Sequence, residues 1–144
     1  MNDFSQTWSP RLLSVLRIVV ALLFLEHGTA KLLGFPHLEM FANLTVFSLF
    51  GIAGIIEIAG SLLLLVGLFT RLVAFLLSGE MALAYFMVHA PQSFFPILND
   101  GEAAVFYCFT FLYLSVAGGG PWSLDEVRNR ASTFSRRASI RSLS

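Results

Sequence analysis

Four apolar stretches, at about 12–33, 48–69, 71–90 and 101–118, each come close to the roughly 20 residues that a helix rising ~1.5 Å per residue needs to cross a hydrocarbon core. Little of the chain is left for anything else. The sequence is 56% hydrophobic and 12% charged, against about a quarter charged in soluble domains, which argues against a water-soluble globule. The fold expected is therefore all-α, a polytopic four-transmembrane-helix bundle over residues 1–125. Nine basic and nine acidic residues cancel, so no electrostatic argument points to a nucleic acid. With Cys108 as the one cysteine, an internal disulfide, a CxxC dithiol relay and a cysteine zinc site are all excluded within the chain.

The first stretch follows Arg11 and raises the question of a signal peptide. Its length and the poor cleavage sequence Gly28-Thr29-Ala30-Lys31 indicate a retained span. The second sets a run of Ile, Leu, Val and Phe, worth roughly −0.3 to −0.6 kcal/mol each on insertion, against the roughly +3 kcal/mol of Glu57. In a four-span arrangement Arg11, Arg71, Arg128, Arg130, Arg136, Arg137 and Arg141 fall on one side and Lys31 alone flanks the other, which places both termini in the cytoplasm. Trp8 and Trp122 then mark the inner headgroup level. The spacing of Phe35, Leu38, Phe41 and Leu44 suggests an interfacial helix, and Phe94-Phe95 a second apolar patch, although loops packed on helix ends account equally well for both. Beyond residue 125 the Arg/Ser-rich composition reads as a disordered cytoplasmic tail, 126–144, attracted to anionic lipid.

Ionisable groups inside these spans are costly and default to functional candidates. Counting ~1.5 Å per residue puts Glu57 and Glu80 within about 3 Å of the midplane and Glu26 and His27 about 6 to 8 Å toward the outer face. Lys31, His89 and Glu102 fall near the outer boundary. Gly51, Gly54 and Glu57 recur every third residue with Ser61 one turn on, so Glu57 sits on a small-residue stripe suited to close helix contact. Ser78, Ala82, Tyr85 and His89 share a face, and His27 and Lys31 are four apart. The expectation is one outward-opening site in which Glu57, His27 and Glu80 act on protons and Lys31, His89, Glu102, Glu26 and Tyr85 contact ligand. No metal site is expected. The plainer alternatives are a helix-locking hydrogen bond for Glu57 and Glu80, snorkelling anchors for Lys31 and Glu102, an anchor or a structural pair for Arg17, and a small buried hydrophobe for Cys108.

These same residues make the chain resemble the DoxX family. The resemblance covers about 12–125 and runs through Leu16-Arg17, Phe24-Leu25-Glu26-His27-Gly28-Thr29-Ala30-Lys31-Leu32, Glu57-Ile58-Ala59-Gly60, Gly67-Leu68-Phe69-Thr70-Arg71, His89, Gly101-Glu102-Ala103-Ala104 and Gly120-Pro121-Trp122-Ser123-Leu124-Asp125. No single piece is specific, but their order across four spans is. Glu80 matches only part of the family and the Arg/Ser tail lies outside its pattern. The resemblance implies a small protein of the bacterial inner membrane and an oxidoreductase-type role linked to quinone or to small thiol and sulfur compounds.

No dinucleotide, flavin or iron–sulfur motif accompanies it, so a cofactor would be a mobile quinone, a histidine-held ligand or a partner's group. Haem between His27 and His89 is disfavoured because their estimated depths differ by about 5 Å or more. Two other classes compete: a proton-coupled transporter or permease, and a membrane scaffold for soluble redox enzymes. The partners implied are the lipid bilayer, a soluble or membrane redox partner and a second copy of the chain.

Overall fold

The computed structural model describes the backbone of residues 3–141 and the side chains of residues 3–133. Among these residues there is no strand. The helices are α1 (Asp3–Leu33), α2 (Leu49–Val66), α3 (Thr70–Ala84), α4 (Glu102–Ala117) and α5 (Leu124–Arg141). A π-helical turn, Tyr85–His89, extends α3, and short 3-10 turns, Glu39–Phe41 and Pro96–Leu98, lie in the two long connections. α1 packs chiefly on α2 and α3 chiefly on α4; α2 also lies along α3, whereas α1 meets α4 only narrowly. One end of the bundle, here the distal end, carries the 34–48 and 90–101 connections. The proximal end carries α5, the α2–α3 turn and the 118–123 loop.

Asp3–Leu33, Leu49–Val66 and Thr70–His89 are each long and apolar enough to span a membrane. α4 has 16 residues and covers roughly 24 Å of a hydrocarbon core about 30 Å thick, so on length alone it falls short of the fourth span expected. α1 starts nine residues before the expected boundary, which brings Trp8 and Arg11 onto the helix with the guanidinium 5.4 Å from the ring centroid. The distal connection holds a single 3-10 turn, Glu39–Phe41, where a longer interfacial helix was one expectation. The tail also departs from expectation. Where composition suggests disorder from 126, α5 continues to Arg141, because Ser123 Oγ accepts the Glu126 amide, Asp125 and Glu126 occupy the first turn, and Glu126 pairs with Arg130 one turn on. Residues 142–144 lie outside the described residues.

The distribution of side chains is inverted relative to a water-soluble bundle. Leu23, Ile52, Phe75, Leu76, Phe106 and Phe109 face outward, while Ser14, Arg17, Glu57, Ser61 and Thr70 are buried. Such a surface is stable where the solvent is hydrocarbon. Between the helices lies an apolar core of Phe24, Leu64, Ala74, Leu77, Phe111 and Leu114. The small-residue stripe on α2 is buried as its spacing suggests: a Cβ on Gly54 would lie 2.9 Å from Leu32 Cγ, and one on Gly28 would lie 2.6 Å from Ile58 Cγ1. α1 and α2 therefore approach at backbone distance.

Candidate functional site

Two polar clusters occupy opposite ends of the bundle, and their chemistry differs. At the proximal end Arg17 is completely buried, and every contact it makes is to a backbone carbonyl. Nε donates to Gly119 O (2.8 Å), Nη1 to Leu65 O (2.7 Å) and to Leu64 O, and Nη2 to Trp122 O (2.9 Å). The arginine is thus not a snorkelling anchor. It donates to carbonyls in the last turn of α2 and fastens them to the 119–122 loop. Ser14 Oγ accepts the Trp122 amide from the same side. Asp125 completes the arrangement by accepting Phe69 N (2.9 Å) and Thr70 N (2.8 Å), the first amides of α3. These hydrogen bonds and nearby Arg128 outweigh the effect of partial burial and hold the Asp125 carboxyl below its ordinary range. With Arg17 and Asp125 engaged by backbone groups, this cluster is a fastening.

The distal half holds the ionisable groups singled out in the sequence. α2 is fixed in depth by Gly54 against α1, which sets Glu57 opposite Lys31 one turn further along. Lys31 Nζ pairs with Glu57 Oε1; the carboxylate side chain is 1% exposed and the lysine 11%. Phe41, from the distal 3-10 turn, lies over the ammonium, 5.9 Å from its ring centroid. Glu57 Oε2 is buried with no partner among the described groups, as is Ser61 Oγ on the same stripe.

α3 supplies Glu80. Leu77 packs on Gly60, where a Cβ would come within 2.8 Å, and the antiparallel register of α2 and α3 then brings residue 80 level with residue 57. Glu80 lies within electrostatic reach of Glu57 and Lys31, and both of its carboxyl oxygens are buried without a partner.

His27 joins this neighbourhood from α1, within electrostatic reach of Glu57, Lys31 and Glu26. It is exposed along one side, with the Tyr107 ring edge-on at 5.5 Å and Phe24 at 6.0 Å between centroids. Tyr107 is the group that sequence reasoning passes over. Its only signal was a phenol one turn before Phe111 in the charge-free fourth stretch, and it is the α4 contribution to the cluster.

The remaining candidates are not gathered in. Ser78 faces α4, where its Oγ donates to Cys108 O (2.8 Å), and Tyr85 and His89 continue toward the 91–100 connection. The π-helical turn, closed by Ala90 N to Tyr85 O (2.8 Å), leaves His89 Nδ1 2.8 Å from Asn99 O with Tyr85 stacked on its ring. His89 and Tyr85 thus form a separate distal clasp with Asn99, whose side chain accepts from Gly101 N and donates to Ser93 O. Glu26 and Glu102 are exposed. The single outward-opening site of eight residues reduces to Lys31, Glu57, Glu80 and His27, with Ser61 and Tyr107 added. Among the described residues no group of three or more His, Cys, Asp or Glu side chains has metal-binding geometry.

A charged pair flanked by carboxyl oxygens lacking donors, an imidazole and a phenol can hold and pass protons and grip a small polar head group. Comparison with known proteins fits this membrane setting without naming a reaction. The DoxX family model matches residues 12–90. A Haemophilus influenzae protein described only as uncharacterized is 48% identical over 130 residues, covering 88% of this chain and 96% of that one. No solved structure matches the chain.

Proposed function

The chain belongs to the DoxX family of membrane proteins, and from that premise we propose that it is the membrane subunit of an oxidoreductase, binding a quinone-type head group at the Lys31–Glu57 pair. The protein lies in the bacterial inner membrane as four spans with both termini cytoplasmic; Arg11, Arg71, Arg128 and Arg130 at the proximal end support that orientation. The observation that carries the reading is Glu57 itself: 1% exposed, one oxygen neutralised by Lys31, the other without a partner. A buried ion pair with an unused oxygen is a poor structural device, because the uncompensated atom weakens the bundle it would be holding.

The residues suit such a ligand. Buried polar atoms lacking partners meet an apolar surround, as a head group on a lipid-soluble tail requires. When bound, a quinone supplies two-electron, two-proton chemistry. The chain's own groups manage the protons. Lys31 pairs with Glu57 at Oε1 and leaves Oε2 to accept; Glu80 offers a second carboxyl at the same level; His27 can take or release a proton toward the exposed side, its ring oriented by Tyr107.

The test is equilibrium binding of a short-chain benzoquinone to the purified protein, together with its quinone-dependent turnover. Glu57→Gln keeps the size and helix content and is expected to lower affinity or turnover at least tenfold. Unchanged binding in that variant, or no binding by the unmodified protein, overturns the reading, and solute flux in proteoliposomes without electron transfer would favour proton-coupled export instead.

A further inference from the structure

A groove of about 940 Å³ lies at the proximal end, between the first turns of α5, the start of α3 and the 117–121 loop, and the Arg17 fastening does not fill it. Its lining carries three cations, Arg71, Arg128 and Arg130, and two anions, Asp125 and Glu126. The anions are already engaged. Asp125 accepts the Phe69 and Thr70 amides, and Glu126 pairs with Arg130. The other two cations keep donors to spare. Arg71 donates from Nη1 to Val116 O, while its Nε and Nη2 lie beside Gly118 with no acceptor among the described residues. The Arg128 guanidinium lies over the Phe69 ring, 5.1 Å from its centroid, exposed and without a hydrogen bond among the same residues. A guanidinium offers five N–H donors in a planar fork that matches pairs of phosphate oxygens.

The other wall of the groove is apolar, and this decides between kinds of anion. Pro10 and Leu13 of α1 line it, and Leu13 also lines a second groove, of about 520 Å³, formed by Phe4, Trp8, Leu12, Leu16 and Tyr113. A free anion gains nothing from that surface; an anion carrying hydrocarbon chains covers it. The depth agrees. Arg71 follows the first residue of α3 and Gly118 the last of α4, so the basic groove stands where two helices of the bundle leave the hydrocarbon, the level of lipid head groups.

The geometry points to a binding site for an anionic phospholipid, its phosphodiester held by Arg71 and Arg128 and an acyl chain running past Leu13 beside Trp8. Basic pockets between membrane helices recognise such head groups. Phosphatidylcholine carries the same phosphate with a cation that the two arginines repel, so a head group with net negative charge is preferred. This site is fixed by the fold, unlike the diffuse attraction expected of the Arg/Ser tail, and it does not depend on the quinone reading.

The full-length Trp122→Phe protein keeps Trp8 as its one tryptophan, and Trp8 lines the apolar groove. It is reconstituted in phosphatidylcholine vesicles, and quenching of Trp8 by phosphatidylglycerol with brominated acyl chains is compared with quenching by brominated phosphatidylcholine. Two arginines at the surface are expected to give phosphatidylglycerol a relative affinity about tenfold higher. Arg128→Gln, at an exposed position that bonds to nothing, is expected to reduce that preference to about threefold or less, and Arg71→Gln to do the same. The combined Arg136→Gln, Arg137→Gln and Arg141→Gln variant is expected to keep it. Equal quenching by the two lipids overturns the site. A preference lost with the tail arginines and kept in Arg128→Gln assigns the effect to the tail and also overturns it. Relief of the quenching by inorganic phosphate would show that the groove takes a free anion in place of a lipid, against the assignment.

Discussion

Arg17 and Lys31 are both cations of one membrane helix, yet they do unrelated things, and the difference lies in what surrounds each guanidinium or ammonium group. Arg17 meets four carbonyls arranged in a fork, a geometry that a planar guanidinium matches and a lysine ammonium does not. Arg17→Lys keeps the charge and loses most of these bonds. The expected loss is about 3 kcal/mol of stability, read as a lower unfolding midpoint in detergent. Lys31 neutralises a carboxylate that has nowhere else to turn. Lys31→Met strands the Glu57 charge and is expected to cost about 3 to 5 kcal/mol, whereas Lys31→Met with Glu57→Leu restores most of it. A double variant as unstable as the single one would mean that the pair is not the source of the loss.

Among the elements, α3 depends most on a distant residue. It follows a three-residue turn in which Gly67 ends α2 with φ +71° and Phe69 is held at φ +52°, a conformation that side chains other than glycine disfavour. The α2 end closes on itself, Leu68 N bonding to Leu63 O (2.9 Å) and Gly67 N to Leu64 O (3.0 Å), as helices terminated by glycine commonly do. The α3 start has no side-chain cap of its own and takes Asp125 from the first turn of α5, far along the chain but at the same end of the bundle. Asp125→Ala is expected to cost about 1 kcal/mol, as lost caps do. The same contact is pH-dependent. Because folding lowers the Asp125 pKa, its contribution is complete above the ordinary aspartate value of about 3.9 and disappears as pH falls through the depressed folded value. Unfolding midpoints measured between pH 6 and pH 2 are expected to show a smaller acid loss in Asp125→Asn than in the unmodified protein. An identical acid profile would remove Asp125 from the account.

At the scale of the whole molecule, a bundle that presents Phe, Leu and Ile outward and buries Arg, Glu and Ser is stable only in an apolar solvent. The direction in which it sits is open to direct measurement. In a Cys108→Ser background, Phe94→Cys at the distal end is expected to react with a membrane-impermeant maleimide on intact cells. Ser132→Cys, on α5, should react only after permeabilisation. The opposite pattern would reverse the orientation argued from the arginines, and labelling of both sites on intact cells would break the four-span arrangement at α4.

Much of this was legible in the order of residues, since hydrophobic length and the rarity of charge within it are properties of the chain alone. They determined the helical class, the membrane setting, the inward face of Glu57 from its small-residue stripe, and the family likeness. They could not determine which charges meet. Depth and shared faces read along each stretch left Arg17 as an anchor or a structural pair and let His89 converge with Glu57. In the fold Arg17 is drawn into a loop about a hundred residues away, and the π-helical turn ties His89 to Asn99. A lone pattern cannot show that Gly60 seats Leu77 and so brings Glu80 level with Glu57, nor that Tyr107 meets His27. Such partnerships arise from the rotation and offset of one helix against another. Side-chain volumes across the interface set these, and no single strand of sequence contains both sides of it.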